Sequence, residues 1–152
     1  SGFAGTAHGI ASGATSNDLV SYNNIAMEVK DACFKASATN GAEFSACNNN
    51  LWYGGTVSAQ YALMNTTAYG SADFAAYKAA TGFDGAGLWE DPDMLAPAVA
   101  DGDFHLKTES PCVNGGTATA DLTLDNDGIS LGRGTNHDIG AFETLKGGPR
   151  KL

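Results

Sequence analysis

Two stretches of this chain overlay at an offset of 26 residues: GTAHGIASGATSNDLVSYNNIAM (5–27) and DACFKASATNGAEFSACNNNLWY (31–53). The overlay sets Asn23 and Asn24 on Asn49 and Asn50, and Ile25 on Leu51, with few other identities. A period between roughly 20 and 50 residues is the signature of a stacked array, in which each unit buries its apolar face against the next. Within each unit the apolar segments are short (His8–Ala11, Asp18–Ser21, Phe44–Cys47) and are separated by Gly, Asn and Ser. That spacing predicts short strands between frequent corners rather than helices. The paired Asn fit a corner, where Asn tolerates left-handed backbone angles and its amide can bond the equivalent Asn of the next unit; an ordinary loop is the alternative.

A chain of 152 residues with 43% hydrophobic and 16% charged residues has one domain's worth of material and enough apolar surface for a core. Eight Lys plus Arg against seventeen Asp plus Glu give a net charge of −9, which disfavours nucleic acid and anionic membrane surfaces as partners. Neutral glycans, cations and basic proteins stay open. No apolar run approaches the roughly 20 residues of a membrane span, so membrane insertion is not expected. The opening SGFAGTAHGIASG lacks a basic start and an apolar centre, so either the chain is cytoplasmic or any signal lies upstream of Ser1. Cys33, Cys47 and Cys112 form no CxxC unit, so zinc is unsupported; Cys33 and Cys47 are open to a disulfide or to buried free thiols.

SADFAAYKAATG (71–82) predicts one amphipathic helix, with Ser71 as cap, Asp73 in the first turn, Phe74 and Tyr77 on one face, and Gly82 as the stop. After it, LWEDPDML and GDFHLKTESPCVNGG read as brief strands between Pro, Gly and Asp turns.

The order NNLWYGG, ATGFDGAGLWEDPDM, GDFHLKTESPCVNGG and DNDGISLGRGTNHDIGAFE resembles the carboxy-terminal region of bacterial secreted right-handed parallel β-helix proteins, the pectate-lyase-like group. Those proteins end in an S-P-x-[IV]-[DN]-x-G turn and a final D-I-G-A-[FY]-E segment. The resemblance implies an all-β, single-stranded solenoid of about two coils with one short helix and a cap of short strands. Residues 1–56 would be coils, 57–145 a helix-containing cap, and 146–152 a basic tail that could be a cloning remnant. It also implies a secreted or cell-surface module with a structural or carbohydrate-interaction role and no complete active site of its own. The rival is the C-terminal part of a polysaccharide lyase or another carbohydrate-active enzyme. Two coils leave an open edge, expected to be covered by missing N-terminal coils or by another chain, with a homo-oligomer as the natural form.

Four candidate sites follow. Sugar-stacking platforms point to Trp52, Tyr53 and Trp89, which compete with a core assignment for the same rings. TLDNDG (123–128) has the alternate-oxygen spacing of a Ca²⁺ loop, with Asp125, Asp127 and Asp138 as ligands; Gly134 at the twelfth position excludes an EF-hand, and a plain Asp-Gly turn is the alternative. From the resemblance, Arg133 would be held by Asp138 or Glu143 as a structural latch before a last strand, Ile139 to Phe142. Catalysis finds little support. His137 and Asp138 are adjacent and would face opposite ways on a strand, while His8, Lys35 and Glu43 could share a face but read as solvated surface groups. A lyase needs Lys or Arg for the uronate, and only Lys30, Lys35, Lys78, Lys107 and Arg133 precede the tail.

Overall fold

The computed structural model describes residues 8–13, 17–27, 29, 31–38, 41–54, 60–96, 102–118, 123–128, 130 and 136–144. Strands β1 (His8–Ala11), β2 (Leu19–Tyr22) and β3 (Ile25–Met27) are followed by β4 (Ala32–Ala36), β5 (Phe44–Asn48) and β6 (Leu51–Tyr53). Each of the second three pairs parallel with its counterpart in the first three. Ser21 lies opposite Cys47 and Ile25 opposite Leu51, so the 26-residue offset in the sequence is the register of these two ladders. β7 (Gln60–Met64) then pairs parallel with β4, placing Ala62 beside Phe34.

Beyond β7 the pattern stops. The chain reverses at Asn65 and Thr66, and β8 (Thr67–Tyr69) pairs antiparallel with β7. Helix α1 (Phe74–Thr81) and an antiparallel pair, β9 (Met94–Ala96) with β10 (Asp103–Leu106), complete the elements. The expected right-handed parallel β-helix is therefore corrected, among the described residues, to four small sheets of mixed sense: β1-β4-β7-β8, β2-β5, β3-β6 and β10-β9. Among the described residues no third strand extends β2-β5 or β3-β6. The physical reason is that the residues following β7 go into a hairpin and a helix instead of another round of strands. What meets β6 is a single bridge, Leu51 to Leu88, with the Trp52 amide donating to the Leu88 carbonyl at 2.9 Å.

Asparagine and aspartate make the corners. Asn23, Asn49, Asn65, Asp84, Asp93 and Asn114 all have φ near +50 to +57°, a backbone region that short polar side chains enter at little cost. The helix is shorter than expected at its start: Asp73 is its N-cap, with no side-chain cap bond, because the Asp73 carboxylate accepts the Gly70 amide at 2.9 Å. Gly82 ends it in the left-handed conformation, as a C-cap glycine should. The expected last strand from Ile139 to Phe142 is a series of bends. Its amides pair singly with distant carbonyls, Ile139 with Cys112 and Gly140 with Asn23, so no ladder forms.

One core cluster gathers Phe34, Phe44, Trp52, Tyr61, Met64 and Tyr77 between the strands and the helix. A second, Leu51, Leu106, Cys112 and Ile139, fastens the C-terminal segment to β6. Gly41, at φ +67°, sits so close to the Phe83 ring that a Cβ there would lie 2.4 Å from it. All three cysteines are buried free thiols, so the disulfide alternative for Cys33 and Cys47 is not formed. Burial pushes the Cys33 thiol up to about 11.

Glu43 is corrected from surface group to core polar group, being only 5% exposed. It accepts the Ser12 hydroxyl at 2.6 Å, the Ser37 amide, and the Ala38 amide at 3.1 Å, tying three segments together. Burial alone would raise its pKa, but these donors outweigh it and hold the carboxyl below its usual value. A depressed folded pKa contributes stability above the unfolded value of about 4.3 that is lost as pH falls through the folded one. Urea midpoints measured from neutral pH downward should fall on acidification below about pH 4–5. Glu43→Gln should lower the neutral-pH midpoint and flatten that acid limb; an unchanged limb would mean the carboxylate contributes nothing. The His8 side chain, grouped with Lys35 and Glu43 in the sequence reading, lies outside the described residues.

Candidate functional site

The corner between β2 and β3 is built by a ladder of side-chain amides. The Asn24 amide nitrogen donates to Asn50 Oδ1 at 3.0 Å, and Asn50 Nδ2 donates to Asp84 Oδ1 at 2.9 Å. Asp84 is fully buried and also accepts Trp52 Nε1 at 2.8 Å and the Tyr77 hydroxyl at 2.9 Å on its other oxygen. Cys47 Sγ lies 3.7 Å from that same oxygen. One carboxylate thus ties the corner, β5, β6 and α1 together. Burial, with the Asp84 charge beside them, pushes the Tyr77 hydroxyl and the Cys47 thiol well above their ordinary ranges, so both stay neutral donors.

The corner so fixed lines a groove of about 680 Å³. Tyr22 to Ile25 line it together with Leu124 to Asn126 and His137 to Glu143. Met94, Phe104 and Leu106, from β9 and β10, belong to the same lining. A smaller hollow of about 380 Å³ shares Asn24, Ile25, Met94 and Phe104 and carries the surface on toward Gly9 and Ile10 of β1. Phe104 is 51% exposed, the largest accessible aromatic side chain on the groove.

Hydrogen bonds from distant segments hold the 137–143 stretch as a wall of the groove. The Asn23 side chain donates to the Thr117 carbonyl at 2.7 Å and accepts the Thr117 amide at 2.8 Å, while the Gly140 amide donates to the Asn23 carbonyl at 2.9 Å. Gly116 allows the approach, since a Cβ there would fall 2.7 Å from the Asp138 carbonyl oxygen. Asp138 accepts the Asn114 and Thr144 amides at 2.7 and 2.6 Å, and Glu143 accepts the Asp138 amide at 2.9 Å. Outside this wall, His105 lies between Asp103 and Asp127, with Nε2 2.9 Å from Asp127 Oδ2, and its ring packs on Phe142 at 4.1 Å.

Trp52 is 0% exposed, so neither face of its ring can receive a sugar. Trp89 stacks on Phe74 at 4.8 Å and Tyr53 meets Tyr61 edge-on at 6.4 Å; both pack against the core cluster that contains Trp52. Trp52 is therefore a core ring, and Tyr53 and Trp89 are partly buried rings packed against that core. Asp125, Asp127 and Asp138 do not converge on a cation position. Asp125 accepts the Asp127 and Glu143 amides at 2.9 Å each, Asp127 faces His105, and Asp138 is occupied by two amides. Among the described residues no group of three or more His, Cys, Asp or Glu is arranged to hold a metal ion. Asp138 and Glu143 do come together, through backbone amides; Arg133, their expected partner in the latch, lies outside the described residues.

The groove's aromatic residues, Tyr22, Phe104 and Phe142, were not singled out by the sequence. Phe104 sits in GDFHL, where alternation with Leu106 reads as ordinary strand patterning. Asp84, within FDGAG, looks like a turn. No local signal marks either. Burial, with the nearby Asp138 charge, raises the Glu143 carboxyl above its usual range although the Asp138 amide bond pulls it down. Among the described groove-lining residues there is no Lys or Arg. Among the described residues no helix is long and apolar enough to cross a membrane. Comparison with protein-family models, with curated proteins and with solved structures finds no match to this chain.

Proposed function

We propose that this chain is a non-catalytic carbohydrate-interaction module, secreted or carried at a cell surface, that holds a glycan in the groove between the β2–β3 corner and the 137–143 segment. The supporting observation is the half-exposed Phe104 ring on an open groove that also presents Tyr22, Phe142 and carboxylates. Sugars offer an apolar C–H face and a rim of hydroxyls, and an aromatic ring flanked by acceptors answers both. The secreted setting rests on the resemblance of the terminal motifs alone.

A carbohydrate-active enzyme is the second reading, favoured by the raised pKa of Glu143, the property of a general acid. Lyase chemistry fits less well, because uronate cleavage needs a cation to neutralise the substrate carboxylate and the described lining carries no Lys or Arg. Binding of a neutral and amino-sugar oligosaccharide panel, measured by calorimetry, tests the module. Wild type should bind at least one, and Phe104→Ala should weaken it by about tenfold, or about 1.4 kcal/mol. Trp89→Phe should leave binding unchanged. Equal binding by the Phe104 variant, or no binding by wild type, contradicts the proposal. Unsaturated products from pectin, alginate or glycosaminoglycans would replace it with the enzyme reading.

A further inference from the structure

We infer that His105 is a positioning residue that ties the 123–128 turn, part of the groove's lining, to β10, and that the tie holds only while the imidazole is protonated. The tie shapes the groove whatever the groove receives, so its failure leaves the glycan reading standing. Asp103 and His105 alternate onto one side of β10, where His105 Nδ1 meets Asp103 Oδ1. Nε2 lies 2.9 Å from Oδ2 of Asp127, which stands in the turn whose residues Leu124 to Asn126 line the groove. The ring, 20% exposed, also packs on Phe142 of the 136–144 segment. Three segments far apart in the sequence thus meet on one imidazole.

A neutral imidazole has a single N–H, whereas here a carboxylate faces each of its two nitrogens. Only the imidazolium has a donor for both. Loss of the proton leaves one nitrogen with a lone pair against a carboxylate. Asp103 keeps its place in that event, because its Oδ1 also accepts the His105 backbone amide at 3.0 Å. The remaining proton then sits on Nδ1, the lone pair falls at Nε2 opposite Asp127, and the turn loses this link to β10. The turn stays attached to the 136–144 segment by the Asn126 amide on the Ala141 carbonyl at 3.0 Å and by the Glu143 amide on Asp125 at 2.9 Å, two bonds that then open more often. Of the other charged groups on the packed elements, β9 (Met94–Ala96) carries none, Lys107 pairs with Asp93 just before β9, and the 136–144 segment brings His137, Asp138 and Glu143 to the groove lining. A contact made by the protonated ring is present at acidic pH and is lost as pH rises through the range, about 5 to 8, in which histidine ordinarily changes charge.

Amide hydrogen exchange followed by NMR between about pH 5 and 8, with the intrinsic base-catalysed rate divided out, reads the tie. Protection of the Asn126 and Glu143 amides should fall by about fivefold across that range, while that of the buried Trp52 amide stays level and shows that the fold is intact. His105→Gln, uncharged throughout, should remove the pH dependence and hold both groove amides near their alkaline wild-type value. Asp127→Asn should raise their protection at the alkaline end above wild type, because the introduced amide donates to the unprotonated Nε2. Protection independent of pH in wild type overturns the proposal. So does a pH dependence that persists in His105→Gln, which would belong to His137 or Glu143, and so does the lack of any gain from Asp127→Asn.

Discussion

Asp84→Ala is expected to cost about 3–5 kcal/mol, a large share of the roughly 5–15 kcal/mol that holds a domain of this size together. The carboxylate accepts the Trp52 indole, the Tyr77 hydroxyl and the Asn50 side-chain amide, all within 2.9 Å and all out of reach of water. Orphaning one buried donor costs about 1–3 kcal/mol, and here three lose their acceptor together, partly offset by relaxation. The backbone adds to the penalty, because Asp84 has φ +49°, a conformation that alanine adopts less readily than aspartate. Asp84→Gly removes the strain and keeps the loss of the carboxylate, so it separates the two contributions. Asp84→Asn, which preserves volume and one acceptor, should cost less than alanine. Urea midpoints at constant slope give the values. A loss under about 1 kcal/mol for Asp84→Ala would show that the donors find other partners and that the ladder does not hold the corner.

Phe34→Ala is the second large effect, with an expected loss of about 3–5 kcal/mol. Phe34 is fully buried in the middle strand of the β1-β4-β7 ladder. Its ring lies 5.1 Å from both Phe44 and Trp52, and meets Tyr77 and Phe83 edge-on at 6.5 Å. Truncation would leave a cavity walled by four rigid rings, which cannot collapse into it as flexible aliphatic side chains would. Phe34→Leu should cost less, because it fills part of that volume. The same urea measurement checks both, and a loss in Phe34→Ala no larger than in Phe34→Leu would mean the surrounding rings do move.

The short strands and the Asn corners were legible because both are local. Asn23 and Asn49 take left-handed angles that their side chains favour, and the overlay of Ile25 on Leu51 is the ladder register. The fold class was misread because the repeat is real over two rounds and then ends. After β7 the sequence TTAY pairs back on its own neighbour, and nothing in the composition distinguishes a strand that continues a stack from one that closes a hairpin. The third rung of the amide ladder is Asp84, 34 positions beyond Asn50 instead of 26, since β7, β8 and α1 come between them. An interval that variable leaves no period to detect.

For the aromatic residues the sequence left two readings open, sugar platform and core. Indole rings are the usual sugar platforms, but Trp52 has a buried acceptor waiting in Asp84, and a buried tryptophan whose N–H is satisfied belongs in a core. Phe104 is exposed on a strand that, among the described residues, pairs with β9 alone. The acidic 125–143 stretch drew attention as a metal site or latch. Its carboxylates spend most of their capacity on backbone amides from residues 114, 127, 138, 143 and 144. The groove itself joins residues 22–25 to 137–143, a pairing across more than a hundred positions that no local pattern announces.

The central claim is that this groove, and not the tryptophan-bearing core, receives the ligand. Backbone amide shifts recorded by NMR during titration with the tightest-binding oligosaccharide of the calorimetric panel test it most directly. The account predicts that the amides of Asn23, Ile25, Phe104, Gly140 and Glu143 move with one saturating curve while those of Trp52, Tyr53 and Trp89 stay in place. Shifts gathered around Trp89 and Tyr53 with the groove amides still would contradict it.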